Sequence, residues 1–332
     1  MTDTKLSVDE AELYDRQIRL WGIESQEKLR AANVLLINVR GLGSEIAKNI
    51  LLSGINSLTL LDDGVVTEEE VLKNFLLSNS SIDQKIAESV VLKAQALNPL
   101  VKISTETASI DSKDAKYFAQ FTIVAGTRLK RSQILKISTA CREYNVKFIC
   151  GDNFGMFGYT LADFQQHQYY EDRIQLTSGK KRTHGGSTTS ETKKVSATLS
   201  YPDLGDVLTL PETPLKPKRR NVYFYLMQVM LMFREKFNRD PNISTKDDDI
   251  QQLKEIKEKI FHYYSVNPDK MDDKVLNLLF GEVVPICSII GGVIAQEIIK
   301  AVSGKEVPIH NVFLLDPFTY AGREERIEAM NL

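Results

Sequence analysis

The run Asn33-Val34-Leu35-Leu36-Ile37-Asn38 passes almost at once into Gly41-Leu42-Gly43 and then into residues 44–52, whose apolar positions recur at helical spacing. A short continuous apolar run ending in a glycine turn is the pattern of a parallel strand buried on both faces. The reading is strand, turn, helix. Residues 57–62 supply a second strand, and the alternation continues through a helix over 85–97 and strands near 102–105, 121–125 and 146–150. Alternating βαβ units predict an α/β fold with a Rossmann-like, doubly wound, mostly parallel sheet.

Beyond residue 150 the pattern changes. Residues 153–162 are glycine- and aromatic-rich and read as antiparallel strands. Residues 178–192 are nearly all Ser, Thr, Gly, Lys and Arg, too polar to offset the entropy of ordering them, so a mobile loop is expected there. The cluster Lys216-Pro217-Lys218-Arg219-Arg220 is either an import signal or a solvated basic linker. Helices are expected near 222–238, 249–264, 274–279 and 284–302, before a last strand at 310–315. This divides the chain into a first Rossmann-like half (1–165), an insert (166–221), and a helical region returning to the same fold (222–332). A length of 332 residues leaves room for these parts.

Composition narrows the function. The net charge of −2 offers no excess to attract a phosphate backbone, so nucleic acid is not an expected partner. Cys141, Cys150 and Cys287 form no C-x-x-C pair, which argues against a disulfide framework or a four-thiolate zinc site. His167, His184, His262 and His310 show no ligand spacing, and no metal site follows. The polar start Met1–Lys5 lacks the apolar stretch of a secretory leader. The apolar run 283–302 carries Gln296, Glu297 and Lys300, which predicts a buried helix rather than a membrane span.

Three features bear on chemistry. Gly41 and Gly43 lie where backbone N–H groups can approach a phosphate at a helix N-terminus, and Asp62 lies where an acid would hold a ribose hydroxyl. The glycine pattern is incomplete and Arg40 would crowd a nucleotide, so residues alone leave open a working site and a fold relic. At the N-terminus, Tyr14, Ile18 and Trp21 make one helical stripe, with Arg16 and Arg19 on another face and Asp15 placed to pair with Arg19. The three cysteines all sit in apolar patterns and read as core thiols rather than nucleophiles. Gly291-Gly292 inside a helix implies a close contact, within the chain or with another.

The segments 14–22, 35–43, 60–62, 151–160 and 285–302, in this order, resemble the ubiquitin-activating enzyme superfamily. More narrowly they are similar to the non-catalytic, regulatory subunits of SUMO-activating enzymes. The resemblance implies a heterodimer with the catalytic subunit, in which ATP and Mg²⁺ are bound by that partner and the thioester-forming cysteine is also the partner's. SUMO would be handled through the complex, and this chain would hold no cofactor of its own. It further implies a pseudo-site here: Arg128 stands where active halves carry a metal-binding aspartate, and Ile86, beside Lys85, where they carry a phosphate-contacting lysine. Arg16 is matched to an arginine that reaches across the dimer to the partner's ATP. Location in the nucleus, and also the cytoplasm, is implied, and no membrane association. Two rivals stand beside this reading: an autonomous homodimeric adenylyltransferase of the sulfur-carrier type, and a nicotinamide-dependent Rossmann oxidoreductase.

Overall fold

The computed structural model describes residues 6–177, 189–210 and 220–328. Three short helices lead in: α1 (Val8–Leu13), α2 (Asp15–Trp21) and α3 (Ile23–Arg30). Then follow β1 (Asn33–Ile37), α4 (Gly41–Leu52), β2 (Ser57–Leu61), α5 (Glu68–Lys73), α6 (Ile86–Ser89), α7 (Val91–Leu97), β3 (Lys102–Glu106), α8 (Ala115–Phe118), β4 (Ile123–Thr127) and α9 (Arg131–Glu143). After β5 (Lys147–Phe154) and β6 (Phe157–Asp163) come a long hairpin, β7 (Gln166–Thr177) and β8 (Thr189–Ser200), and the helices α10 (Leu204–Leu208), α11 (Val222–Phe237), α12 (Lys246–Tyr263) and α13 (Val284–Ser303). Strands β9 (Val312–Leu315) and β10 (Gly322–Glu325) end the fold.

Eight strands make one sheet in the order β10-β9-β6-β5-β4-β1-β2-β3. The half running β5-β4-β1-β2-β3 is parallel throughout, whereas β6, β9 and β10 are added antiparallel. Alternation along β1 explains its apolar sequence: Val34 and Leu36 enter a core with Leu42, Ile46 and Ile50 of α4, while Leu35 and Ile37 enter the opposite core with Ile134 and Ile137 of α9. Each side chain has no exposed surface, and burying one of this size is worth about 1.5–3 kcal/mol. Helices α4 and α13 cover one face; α9, α11 and α12 cover the other.

Helix α13 is long and apolar enough to cross a bilayer, yet here it packs on α4, α3, β5 and β6. The double glycine divides its work. A Cβ on Gly291 would stand 2.7 Å from the Cβ of Glu45 in α4, so this glycine permits the helix crossing, whereas Gly292 meets nothing within 4 Å and faces outward.

Several boundaries differ from expectation. Helix α4 begins at Gly41, three residues before the apolar period. The expected helix at 85–97 is two, α6 and α7, joined through Val90. Strand β5 runs on to Phe154, because Gly151 carries no Cβ to strike the Tyr159 carbonyl beside it. The segment near 274–279 is a 3₁₀ helix, Asp273–Leu278, capped by Asp272. Residues 189–192, expected in a loop, belong to β8 and pair with 174–177 of β7; their threonines suit a strand. The remainder of that expected loop, 178–188, and residues 216–219 of the basic cluster lie outside the described residues.

His167 on β7 is buried, stacked on Tyr169 and edge-on to Phe164, with no partner for its Nε2 among the described residues. Burial pulls its pKa down to about 4. The unfolded chain accepts a proton below about 6.5 that the folded chain refuses, so stability should fall as pH drops from about 6.5 towards 4, by roughly 1 kcal/mol per unit. Urea unfolding across that range, with wild type compared against His167→Gln, should show a flatter pH dependence in the variant; equal slopes would contradict it.

Candidate functional site

In a sheet with β1 between β2 and β4, the chain leaves β1 and β4 towards opposite faces, so a ligand crevice is expected beyond their C-terminal ends. The glycine turn follows β1 and Arg128 follows β4, which puts both at that point. The crevice is laced shut across its base. Asn38 Nδ2 donates to the Thr127 carbonyl at 2.6 Å, and Thr127 Oγ1 donates to the Asn38 carbonyl at 3.0 Å. Asn38 and Arg128 both take positive φ, 64° and 52°. Gly43 is required where it stands, since a Cβ there would collide with the Asn38 carbonyl oxygen.

Each candidate residue at the crevice is already engaged. Asp62 is fully buried; one carboxylate oxygen accepts from the Val39 N–H and the other from the Gly64 N–H, both at 2.9 Å. Burial raises its pKa against the pull of Arg40. Arg40 pairs with Glu70 at 2.7 Å and comes within 4.0 Å of Asp62. The Glu282 carboxylate also lies against Gly41, with Oε1 3.3 Å from the position of a Cβ there. Ile86 is buried in the core beside Gly64, while Lys85 turns its ammonium to the Asp63 carbonyl at 2.7 Å.

Arg128 pairs with Asp240 at 3.0 Å and approaches Glu282 at 3.8 Å. Burial works against its charge, but these two carboxylates hold its pKa above the ordinary arginine value. Behind it, Arg234 of α11 is bound by Asp152 and by Asp240 at 2.6 Å, and donates to the Leu129 carbonyl at 3.1 Å. What is left of the crevice is a cavity of about 280 Å³ lined by Asn38, Asp63, Arg128, Lys130, Arg234 and Asp240. That falls just under the roughly 300–1,000 Å³ of ordinary ligand pockets. The Asp62 carboxylate is thus tied to backbone N–H groups and the Arg128 guanidinium to Asp240, so both already have partners within the chain.

Arg16 lies elsewhere. It is exposed on α2, and no hydrogen bond or ion pair to its side chain occurs among the described residues. Its neighbour Gln17 donates to the Leu52 carbonyl at 3.3 Å, at the far end of α4 from the glycine turn, roughly 17 Å away by helix rise. Arg16 therefore cannot serve its own chain's crevice. Arg19 does pair with Asp15, at 3.0 Å in solvent. Beside α2 runs a groove of about 450 Å³ lined by Leu20, Trp21, Leu52, Gly292, Ala295 and Ile299, with Leu20 70% exposed.

The three cysteines are buried and unpaired, and burial raises the pKa of each thiol. None has the access or the thiolate character that nucleophilic attack needs. Thiol labelling of the native chain is expected to be slow at Cys141, Cys150 and Cys287 and fast only in denaturant; rapid labelling of the folded chain at any of them would contradict this burial.

Residue patterns did not single out Glu70, Asp152, Arg234, Asp240 or Glu282. These come from four separate segments, Arg234 and Asp240 lying six residues apart, and only packing brings the segments together. The available signal was a charged residue set directly beside a glycine in an apolar context, as in Gly151-Asp152 and Gly281-Glu282.

The fold and this crevice define a class: the ThiF family model matches residues 14–331, and the chain belongs to that family. Within it, the chain is 35% identical over 322 residues to the human protein named SUMO-activating enzyme subunit 1, covering 94% of this chain and 93% of the relative. The protein of the same name from Bos taurus is 36% identical over 322 residues, and that from Danio rerio 35% over 332. In fold alone the chain resembles E. coli MccB, in a crystal structure with MccA-N7isoAsn (TM-score 0.57, 11% identity, 99% of this chain and 74% of that one). PaaA is similar at TM-score 0.57 and 15% identity, over 98% of this chain and 76% of that one.

Proposed function

We propose that this chain is the non-catalytic subunit of a heterodimeric SUMO-activating enzyme. The complex adenylates the C-terminus of SUMO with ATP and passes it to a cysteine on the partner. The observation that carries this reading is the division of the molecule's arginines. Those in the crevice, Arg40, Arg128 and Arg234, are consumed by internal carboxylates. Arg16 stands exposed on a separate face, beside an apolar groove of the kind an obligate partner covers.

In this reading ATP and Mg²⁺ belong to the partner's site, and the groove beside α2 is part of the assembly surface. When the modifier carboxylate attacks the α-phosphate, negative charge grows on the departing pyrophosphate. A guanidinium fixed on a helix stabilises that charge with little reorganisation. Nuclear location is part of the proposal, with Lys216–Arg220 as the candidate signal.

ATP–pyrophosphate exchange with purified SUMO tests the reading, comparing the chain alone with the chain plus its catalytic partner. Exchange is expected only with the partner. Exchange by the chain alone would mean that the crevice works and that the assignment is wrong.

A further inference from the structure

The group held at the head of α4 belongs to the chain itself. Glu282 lies in the extended link before α13, fixed because the neighbouring Gly281 carbonyl accepts from the Gly155 N–H at 2.7 Å and Glu282 bridges Gly155 as a parallel partner. Its side chain is 3% exposed, and neither carboxylate oxygen has a hydrogen-bond partner among the described residues. The carboxylate faces Gly41, with Oε1 3.3 Å and Oε2 3.4 Å from the position of a Cβ, and Arg128 stands 3.8 Å behind it. Gly41 opens a twelve-residue helix whose first N–H groups point outward and carry the positive end of the helix dipole. A buried carboxylate without hydrogen bonds is strongly disfavoured unless charge compensates it. Here the Arg128 guanidinium offsets part of that cost, and the carboxylate lies against the first residue of the helix.

We propose that Glu282 is an intramolecular substitute for a phosphate: it occupies the anion position of the glycine turn and bars phosphate-bearing ligands from this half of the enzyme. The inference rests on the reading of this chain as the half that holds no nucleotide. It also gives a reason for a glycine at position 41, where Glu282 is the neighbour. The turn still receives an anion, and a side chain on Gly41 would press on it.

The test uses the full chain and inorganic pyrophosphate as probe, read by calorimetry and by thermal unfolding. Wild type should show no saturable binding. Glu282→Ala, which vacates the position, should bind pyrophosphate on the order of 10-fold or more tighter than wild type and should be stabilised by it. Adding Arg128→Ala should cancel the gain. If folded Glu282→Ala binds no better than wild type while wild type stays inert, the inference fails and the reading beneath it stands. If wild type itself binds pyrophosphate, both fail. Should Glu282→Ala not fold unaided, refolding in phosphate against chloride at equal ionic strength decides: recovery in phosphate alone supports the proposal, and equal failure in both overturns it.

Discussion

Arg16→Ala is expected to leave the heterodimer assembled and to lower SUMO adenylation by on the order of 10²-fold, the usual loss when one preorganised donor to a developing negative charge is removed. The structure makes the two effects separable. Arg16 is exposed and bonds to nothing described in its own chain, so its loss costs the fold little. The helix beneath it is held by other groups: Tyr14 is buried with its hydroxyl bonded to Asn98 at 2.9 Å, and the Trp21 indole donates to Gln26 at 2.9 Å. Arg16→Lys should recover only part of the rate, because an ammonium keeps the charge and loses the planar fork. Pyrophosphate exchange and gel filtration on the same samples check both halves of the expectation. Unchanged exchange in the alanine variant would remove Arg16 from the mechanism.

The largest stability effect should come from Arg234→Ala, at about 3–5 kcal/mol, the cost of stranding a buried ionic partner. Arg234 is almost fully buried between Asp152 and Asp240, and these carboxylates raise its pKa. Its removal leaves Asp152 buried with no ion-pair partner among the described residues. Burial pushes such a carboxyl's pKa up. Because the folded variant then holds a proton that the unfolded chain releases, the variant's stability should decline as pH rises above the ordinary aspartate range. Combining Arg234→Met with Asp152→Asn should return much of the loss, since it is the lone charge that costs most. Chemical denaturation of the single and double variants at two pH values measures both claims; a single variant within 1 kcal/mol of wild type would refute them.

The strand–turn–helix unit and the second strand were legible because burial on both faces leaves no choice of residue: Val34, Leu35, Leu36 and Ile37 must all be apolar. The antiparallel character of 153–162 was legible from its glycines and aromatics, as β5 and β6 bear out. At the crevice, sequence could mark Arg40 and Arg128 as bulky and charged, but not their contacts. Arg40 meets Glu70 across 30 positions and Arg128 meets Asp240 across more than 100. No local pattern encodes pairs at that range. The extension of β8 back to Thr189 was hidden for a different reason: threonine and serine serve loops and strands alike, and only the pairing with β7 decides between them.

The antiparallel end of the sheet carries a consequence for synthesis. Leu161 of β6 finds its partner in Val312 of β9, about 150 residues later. Until that late segment emerges from the ribosome, β6, which is buried along its whole length in the finished fold, presents an open strand edge bearing Phe157, Tyr159 and Leu161. Such an edge pairs readily with other chains. A message truncated between the end of β6 and residue 312 would therefore yield an aggregating fragment rather than a smaller working protein, and chaperone demand should peak late in translation.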